Sequence, residues 1–129
     1  MDPQQRDLFK QAVFRGEPLP VDWPADFAII TAYDPEGRAT SPEANVAADT
    51  MMEAELQAAG FRLHRITGGA ADGVQLEPGW GVTVGLPAAV EFGRRYRQLA
   101  VFYVREGALT LVDCEDGSSD DLGRPFGLV

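Results

Sequence analysis

Six polar side chains in this sequence have the chemistry to contact a small ligand. They are Tyr33, Arg38, Ser41, Asn45, Glu77 and Gln98. Ser41 and Asn45 stand at the predicted start of a long helix, where free backbone N–H groups and the positive end of the helix dipole attract a phosphate or a carboxylate. Arg38 precedes them and would supply a positive charge. The group therefore predicts an anion site.

A structural role explains the helix start without a ligand. Ser followed by Pro is typical of helix starts, since Ser caps the helix and Pro suits its first turn. Asn45 lies one turn further on and can tie the preceding loop to the helix, because its amide both donates and accepts hydrogen bonds. No glycine-rich phosphate loop accompanies the pair. We favour this interpretation and keep the anion site as the alternative.

Glu77 and Gln98 each border a predicted strand. Glu77 would act as a general base if burial raised its pKa, and otherwise it would stay solvated or bond to nearby backbone. Gln98 would either contact a ligand or satisfy backbone groups where a helix meets a strand. We favour the structural alternative for both residues.

The remaining reactive residues form no catalytic or metal-binding set. His64 is the one histidine and is predicted on the solvent side of an alternating strand. Cys114 lies among acidic residues, which raise the pKa of a thiol and argue against a nucleophile. The acidic run around it misses the spacing of a calcium loop. We therefore predict no catalytic residue, no metal and no cofactor.

Arg94, Arg95 and Arg97 form one dense basic group in an acidic protein. They fall at the end of a predicted helix, where cations interact favourably with the helix dipole. The alternative is a docking surface for an acidic partner or for the acidic tail of this chain.

The elements that would position these residues follow from hydrophobic periodicity. Phe27–Tyr33 is a nearly unbroken apolar run and predicts a buried strand. A helix is predicted from Pro42 to about Ala59, with Gly60 as its stop. We expect its buried stripe to include Val46 and its solvent face to include Asp49.

The later elements complete a β-α-β-β-α-β order between Phe27 and Val104. The sequence predicts an alternating edge strand at Phe61–Ile66, a strand at Trp80–Leu86, a helix from Pro87 to about Arg97, and a strand at Leu99–Val104. This order predicts an α+β fold, a two-layer ferredoxin-like sandwich. Strands at Phe27 and Trp80 would lie in its centre. An N-terminal helix and a C-terminal β-hairpin strand, starting at Ala108, would extend it.

The chain length of 129 residues predicts a single domain, 1–129. Within it, 1–26 would form a helix, capped by Asp2, and a proline-rich tether, and 27–112 would form the core. The segment 113–129 carries many carboxylates and few apolar residues, so we expect a mobile, solvated tail. Deletion of residues 115–129 is predicted to change stability little, unless Phe126 and Leu128 dock on the sheet.

Charge and composition limit the classes of partner. Eleven basic and twenty acidic residues give a net charge of −9, which repels phosphate backbones and anionic membrane surfaces. The single cysteine excludes an internal disulfide framework. No apolar run has the length of a membrane span, and no signal-peptide pattern is found. We therefore predict a cytoplasmic protein that binds neither nucleic acid nor membrane.

Several motifs resemble one bacterial protein family in the same order. They are the run from Phe27 to Pro35, the pair Ser41…Asn45, Glu77-Pro78-Gly79-Trp80, and the run from Phe92 to Phe102. Together these segments resemble the proteins catalogued as domain of unknown function 3293, from about Leu8 to Val112. The resemblance implies a small bacterial cytosolic domain and implies no activity.

Two positions depart from the pattern of that family. The family commonly has Asn-Pro after the first strand, where this chain has Asp34-Pro35. The family often has Glu directly before the Asn, where this chain has Ala44 and places the acid at Glu43. A one-residue shift turns a side chain by about 100° around a helix, so the role of that carboxylate is not carried over.

These observations lead to two functional hypotheses. The first is a non-catalytic binding or interaction module with an unidentified protein or small-molecule partner. The second is a small-molecule sensor or enzyme that uses the polar residues after the first core strand and takes an anionic ligand. Convergence of the six side chains into one concave pocket would favour the second hypothesis. Bonds to backbone at the ends of elements would favour the first.

Overall fold

The computed structural model describes residues 1–129 as seven strands, three α-helices and a short 3₁₀ turn at Pro35–Gly37. In chain order the elements are α1 (Pro3–Lys10), β1 (Val13–Arg15), β2 (Phe27–Thr31), α2 (Pro42–Ala58), β3 (Leu63–Gly69), β4 (Glu77–Val82), α3 (Leu86–Arg95), β5 (Ala100–Arg105), β6 (Ala108–Asp113) and β7 (Ser119–Pro125). No helix is both long enough and apolar enough to cross a membrane.

The strands form one antiparallel sheet in the order β1-β3-β4-β2-β5-β6-β7. The predicted two-layer ferredoxin-like sandwich is therefore wrong, because the sheet has seven strands and curls into a half-barrel. Within it β2 and β4 are neighbours, β3 lies outside β4, and β6 covers β5, as expected for those strands. The predicted α+β class is confirmed, and the predicted number of layers is wrong.

Both faces of the sheet are buried, which explains the change of architecture. On one face α2 packs against β3 and β4, and α3 packs against β2 and β5. On the other face a second apolar cluster centres on Phe14, Phe27 and Phe102. That second cluster is covered by Phe9 of α1, by Trp23 of the tether and by residues 122–128. The predicted sandwich had no cover for this face.

The C-terminal residues bring the two edges of the sheet together. Leu128 bridges Phe14 in parallel, and the Val129 N–H donates to the Phe14 carbonyl at 2.9 Å. The ring of Phe126 contacts the rings of Phe14 and Phe27, with centroids 5.7 and 5.3 Å apart. Segment 113–129 is therefore packed and strand-forming, and the expectation of a mobile, solvated tail is wrong.

The acidic residues of this segment have specific partners. The Asp120 carboxylate accepts from Arg6 Nη1 at 2.7 Å. Asp113 is 4% exposed, and its carboxylate lies 3.3 Å from Arg6 Nη2. Because α1 supplies the arginine, these carboxylates hold the tail against the N-terminal helix.

The structure shows where the N-terminal helix ends and corrects which strand lies at the edge of the sheet. The predicted N-terminal helix ends at Lys10, and residues 13–15 form β1. Because β1 pairs with β3 from Val13 to Arg15, β3 is not the edge strand that its alternating pattern indicated. Asp2 caps α1 as predicted, with its carboxylate accepting from the Gln5 N–H at 2.8 Å.

Helix α2 has the predicted ends but a different buried face. Ser41 caps it, and Gly60 follows it in the left-handed region at φ 86°. Val46 is 55% exposed, and Asp49 is 8% exposed, so both expectations for these residues were wrong. The helix turns Asn45, Asp49, Met52 and Leu56 toward the sheet.

Candidate functional site

The loop after β2 is organised around Asp34. The Asp34 N–H donates to Asn45 Oδ1, and Asn45 Nδ2 donates to Asp34 Oδ1, each at 2.9 Å. The same carboxylate oxygen accepts from the Thr40 N–H at 3.3 Å. Asp34 adopts a left-handed backbone at φ 48°, a conformation in which Asp and Asn are enriched. These bonds fix the loop to the first turn of α2.

Glu77 lies beside Asp34 at the start of β4. The register of β2 and β4 pairs Thr31 with Gly79 and so brings the end of one strand to the start of the other. Burial raises the pKa of Glu77 to about 7, and the charge of Asp34 and a hydrogen bond with it add to this shift. We call Asp34, Thr40, Asn45 and Glu77 the Asp34 cluster. At neutral pH the Glu77 carboxyl can exchange a proton with a substrate or with solvent.

Of the other predicted residues, Ser41 and Gln98 bond to backbone groups, and Arg38 has no side-chain partner in the chain. Ser41 Oγ accepts from the Ala44 N–H at 3.1 Å and thus acts as the helix cap. Gln98 Nε2 donates to the carbonyls of Tyr33 and Tyr96, at 3.1 and 3.3 Å. Arg38 is exposed and makes no hydrogen bond or ion pair through its side chain. The structure therefore unites Asn45 and Glu77 around Asp34, and it leaves Ser41 and Arg38 outside that cluster.

Tyr33 reaches this region mainly through its backbone. Its N–H donates to Thr31 Oγ1 at 3.0 Å, and its carbonyl accepts from Gln98. Thr31 Oγ1 in turn donates to the Pro78 carbonyl at 2.8 Å. The ends of β2, β4 and α3 are therefore joined by side-chain bonds to backbone, which is the arrangement expected for a structural role.

Sequence reasoning missed an ion pair one helical turn from Asn45. Arg65 Nη1 and Nη2 donate to the two carboxylate oxygens of Asp49, at 2.9 and 2.8 Å. The guanidinium lies 3.7 Å from the ring centroid of Trp80 and also donates to the Gly79 carbonyl. The hydrogen bonds to Asp49 raise the pKa of Arg65. This bidentate pair joins α2 to β3 and β4 beside the Asp34 cluster.

Asp34 itself was also missed as a site residue. Its signal was present, because an Asp-Pro pair directly follows a strand and a polar loop leads from it to a helix. The Asp49 pair had a weaker signal. Asn45 and Asp49 are four residues apart and so share one helix face, but only the position of Arg65 in space shows that this face is buried.

A cavity of about 260 Å³ lies away from the Asp34 cluster, between the end of α3 and the turn after β6. Of the six predicted residues only Gln98 lines it. Its arginines are engaged within the chain: Arg94 donates to the carbonyls of Cys114 and Glu115, and Arg97 Nη2 lies 3.2 Å from the Glu36 carboxylate. The third arginine of the basic group, Arg95, pairs with Glu55 at 2.6 Å. The basic group therefore binds its own chain.

The two reactive residues of the sequence have packed surroundings. Cys114 is buried, and burial together with the charge of Asp113 raises the pKa of its thiol to about 11, which agrees with the argument against a nucleophile. His64 Nε2 lies 2.7 Å from the Glu17 carbonyl, and its ring lies beside that of Trp23. We predicted that His64 lies on a free solvent face, and its contacts with the tether show that it does not. No group of three His, Cys, Asp or Glu side chains is arranged to hold a metal ion.

Replacement of Asn45 by Ala is expected to destabilise the protein by about 1–3 kcal/mol. The residue is 7% exposed, so its loss leaves the Asp34 N–H without a partner and the Asp34 carboxylate with only the Thr40 N–H. Asn45→Asp keeps the acceptor but sets a second carboxylate against Asp34, so we expect it to be less stable than the parent at pH 8. Urea denaturation measures both effects.

The exposed Gln57→Ala change in the same helix is the control for Asn45. It is expected to stay within about 0.5 kcal/mol of the parent. An Asn45→Ala variant as stable as this control would remove the structural role of the amide and make Asn45 a candidate for direct ligand contact.

The fold and the site together define a small α+β domain with an internally bonded polar cluster beside the start of its longest helix. The chain belongs to the family described as protein of unknown function DUF3293, whose profile matches residues 30–101, more than half of the chain. The family that the motifs indicated is thereby confirmed over residues 30–101. No protein with a curated description and no solved structure matches the chain.

The matched range contains the whole candidate site. All six predicted residues, the Asp34 cluster and the Asp49–Arg65 pair fall within residues 30–101. In contrast α1, β1, β6 and β7 lie outside it. The segments that cover the second apolar face therefore lie outside the matched part of the chain.

Proposed function

We propose that this chain is a non-catalytic interaction domain that binds a protein partner through the outer face of α2. The single observation that carries this proposal is the exposed apolar surface of that helix, where Val46 is 55% and Met51 is 59% exposed. Contiguous apolar surface on a soluble domain is typical of a docking site. We call Val46, Ala47, Met51, Ala54 and Ala58 the outer α2 face.

The state of the polar residues supports the same proposal. The side chains of Asn45, Ser41 and Gln98 are bonded to backbone at the ends of elements. This is the arrangement that favours interaction over a ligand pocket. Hydrogen-bonding groups that already have partners inside the chain gain little from a new ligand.

The second candidate function is acid–base chemistry at the Asp34 cluster. It is favoured by one observation, the pKa of about 7 at Glu77 beside a carboxylate. Titration near neutral pH is a common property of general acids and bases. An anionic ligand has less support, because the groups gathered there are carboxyls and the exposed Arg38 makes no hydrogen bond or ion pair with them.

Comparative affinity capture tests the interaction domain. The tagged full chain is compared with Met51→Glu, which places a charge on the outer α2 face, and with Val21→Glu, which changes a fully exposed apolar residue in the tether. We expect a partner that is retained by Val21→Glu and lost with Met51→Glu. Binding that survives both changes would contradict the assigned surface.

A thermal-shift screen separates the second candidate. Nucleotides, amino acids and metal ions are tested on the parent and on Glu77→Gln, because a ligand that prefers the native state raises the Tm. We expect no compound to raise the Tm of the parent alone. A compound that stabilises the parent and not Glu77→Gln would favour chemistry at the Asp34 cluster over the interaction domain.

A further inference from the structure

The cavity between the end of α3 and the turn after β6 is separate from the outer α2 face and from the Asp34 cluster, because it contains no residue of either. Pockets that hold drug-sized ligands have volumes of roughly 300–1,000 Å³. The volume of this cavity, about 260 Å³, suits a smaller molecule. Charged side chains of both signs line it, and they are Glu36, Asp113, Glu115, Arg94 and Arg97.

The positive charge of Arg94 is not neutralised by a carboxylate of the chain. Its Nε donates to the Cys114 carbonyl, and its Nη2 donates to the Glu115 carbonyl at 3.3 Å. These bonds hold the guanidinium in place and leave Nη1 free. Arg97 pairs with Glu36, but the two side chains are 65% and 46% exposed, and exposed ion pairs contribute little. Both guanidinium groups are therefore available to a carboxylate of a ligand.

The carboxylates of Asp113 and Glu115 converge on one position. Asp113 Oδ2 lies 3.9 Å and Glu115 Oε2 lies 3.8 Å from the α-amine of Met1, so this position accepts an ammonium group. Arg94 binds the backbone carbonyl of Glu115, whose side chain belongs to the ammonium position. The positive and negative groups therefore meet at one residue, and one small molecule can reach both.

Two residues of the cavity wall adopt a left-handed backbone conformation that is uncommon for Glu and Arg. Glu36 has a φ of 60° and Arg97 has a φ of 58°. The two are in direct contact, since the Glu36 N–H donates to the Arg97 carbonyl at 2.7 Å. Backbone outliers of this kind cluster at ligand sites, where the surrounding structure holds them. Their position is a second observation that favours a ligand at this cavity.

We propose that the cavity binds a free α-amino acid with a small side chain. Its carboxylate is held by Arg94 and Arg97, and its ammonium group takes the position between Asp113 and Glu115. Its side chain contacts Leu99 of the cavity wall. A ligand of one charge alone would meet like charges on this wall, whereas a zwitterion finds an opposite charge at each end. This site is independent of the proposed interaction domain.

The complex is expected to be weak. The ligand has few atoms to contribute contacts, and its ammonium group must displace the α-amine of Met1 from the two carboxylates. Glu115 is also 86% exposed, so water competes for its carboxylate. We therefore expect a dissociation constant between about 0.1 and about 10 mM.

An NMR titration of the ¹⁵N-labelled full chain with L-alanine tests the site. We expect saturable shifts of the backbone amide signals of Gln98, Cys114 and Glu115, because saturation separates binding from a general effect of the solute. L-Alaninamide lacks the carboxylate and propionate lacks the ammonium group, so each should bind about tenfold more weakly or worse. Propionate that binds as tightly as L-alanine would overturn the zwitterion as ligand. Signals that do not saturate above the expected concentration range would overturn the site.

Two variants and a matched control place the ligand in the cavity. Arg94→Gln removes a guanidinium group, and Glu115→Gln removes a charge from a side chain that is too exposed to affect folding. Each should weaken binding of L-alanine about tenfold. In Arg15→Gln, which should bind as the parent does, the lost arginine also donates to two carbonyls, those of Ala70 and Ala71. Unchanged binding by Arg94→Gln or Glu115→Gln, with the amide spectrum of a folded chain, would overturn the assigned residues.

Discussion

Deletion of residues 115–129 is expected to remove most of the stability of this protein. The deletion takes away β7 and with it the pairing that covers β6. It also exposes the second apolar cluster, because Leu122, Phe126 and Leu128 pack against it. Loss of a large buried side chain alone costs about 3–5 kcal/mol, and a domain of this size has about 5–15 kcal/mol in total. We therefore expect a largely unfolded product, measured by circular dichroism and by the loss of a cooperative thermal transition.

Two point variants separate packing from chain length in this segment. Phe126→Ala is expected to cost about 2–3 kcal/mol, below the usual range for a Phe because the side chain is only partly buried. Val129→Ala changes a residue that is 75% exposed and should stay within about 0.5 kcal/mol of the parent. A truncated chain that unfolds at the temperature of the parent would show that the strand contributes nothing to the core.

The sequence contained a signal for β7 that its charge concealed. Asp120, Leu122, Arg124, Phe126 and Leu128 alternate with exposed residues along the segment, and a period of two is the pattern of a half-buried strand. The many carboxylates of the segment instead indicated a mobile, solvated tail. Asp120 is compensated by Arg6, which is 114 positions away in the chain, and composition cannot show a pairing at that distance.

A similar limit applies to the buried face of α2. The sequence predicted Asp49 toward solvent, since an unpaired buried carboxylate is costly. The structure turns Asp49 inward because Arg65 on β3 supplies a bidentate partner. Once Asn45 and Asp49 lie inside, the rotation of the helix exposes Val46 and Met51. One missed ion pair therefore changes which residues of α2 are available to a partner.

The correctly predicted features depend on signals that are local in the chain. Asp2 and Ser41 cap their helices, and Glu106 and Gly107, both at positive φ, turn β5 into β6. The central position of β2 follows from its nearly unbroken apolar run. The layers of the fold could not be predicted from such local signals, because the second face of the sheet is covered by residues from both ends of the chain.

The protein is expected to lose stability as the pH rises from 5 to 8.5, and Glu77 is the cause. Its pKa is about 7 in the folded state and has an ordinary value of 4.5 otherwise. Between these values the folded chain holds a proton that the unfolded chain has released. The resulting stabilisation is complete below the unfolded pKa and is lost as the pH passes through about 7. We expect a loss of about 2–3 kcal/mol from this residue, since one pKa unit corresponds to about 1.4 kcal/mol and the side chain is partly exposed.

Two substitutions in the Asp34 cluster identify the groups responsible. Glu77→Gln removes the titration and lets the amide donate to Asp34, so its free energy of unfolding should change less between pH 5 and 8.5 than that of the parent. Asp34→Asn keeps an acceptor for Asn45 and Thr40 and removes the neighbouring negative charge. It should lower the pKa of Glu77 and make the variant more stable than the parent at pH 8.5.

Urea denaturation of the three proteins at both pH values measures these differences directly. Cys114 lies elsewhere in the fold, so a pH dependence from its thiol would persist in Glu77→Gln. If this variant keeps the full pH dependence of the parent, the titrating group is not Glu77, and the acid–base candidate loses the observation that favours it. If Asp34→Asn alone abolishes the dependence, the carboxyl pair is its origin, because burial of Glu77 is the same in both proteins.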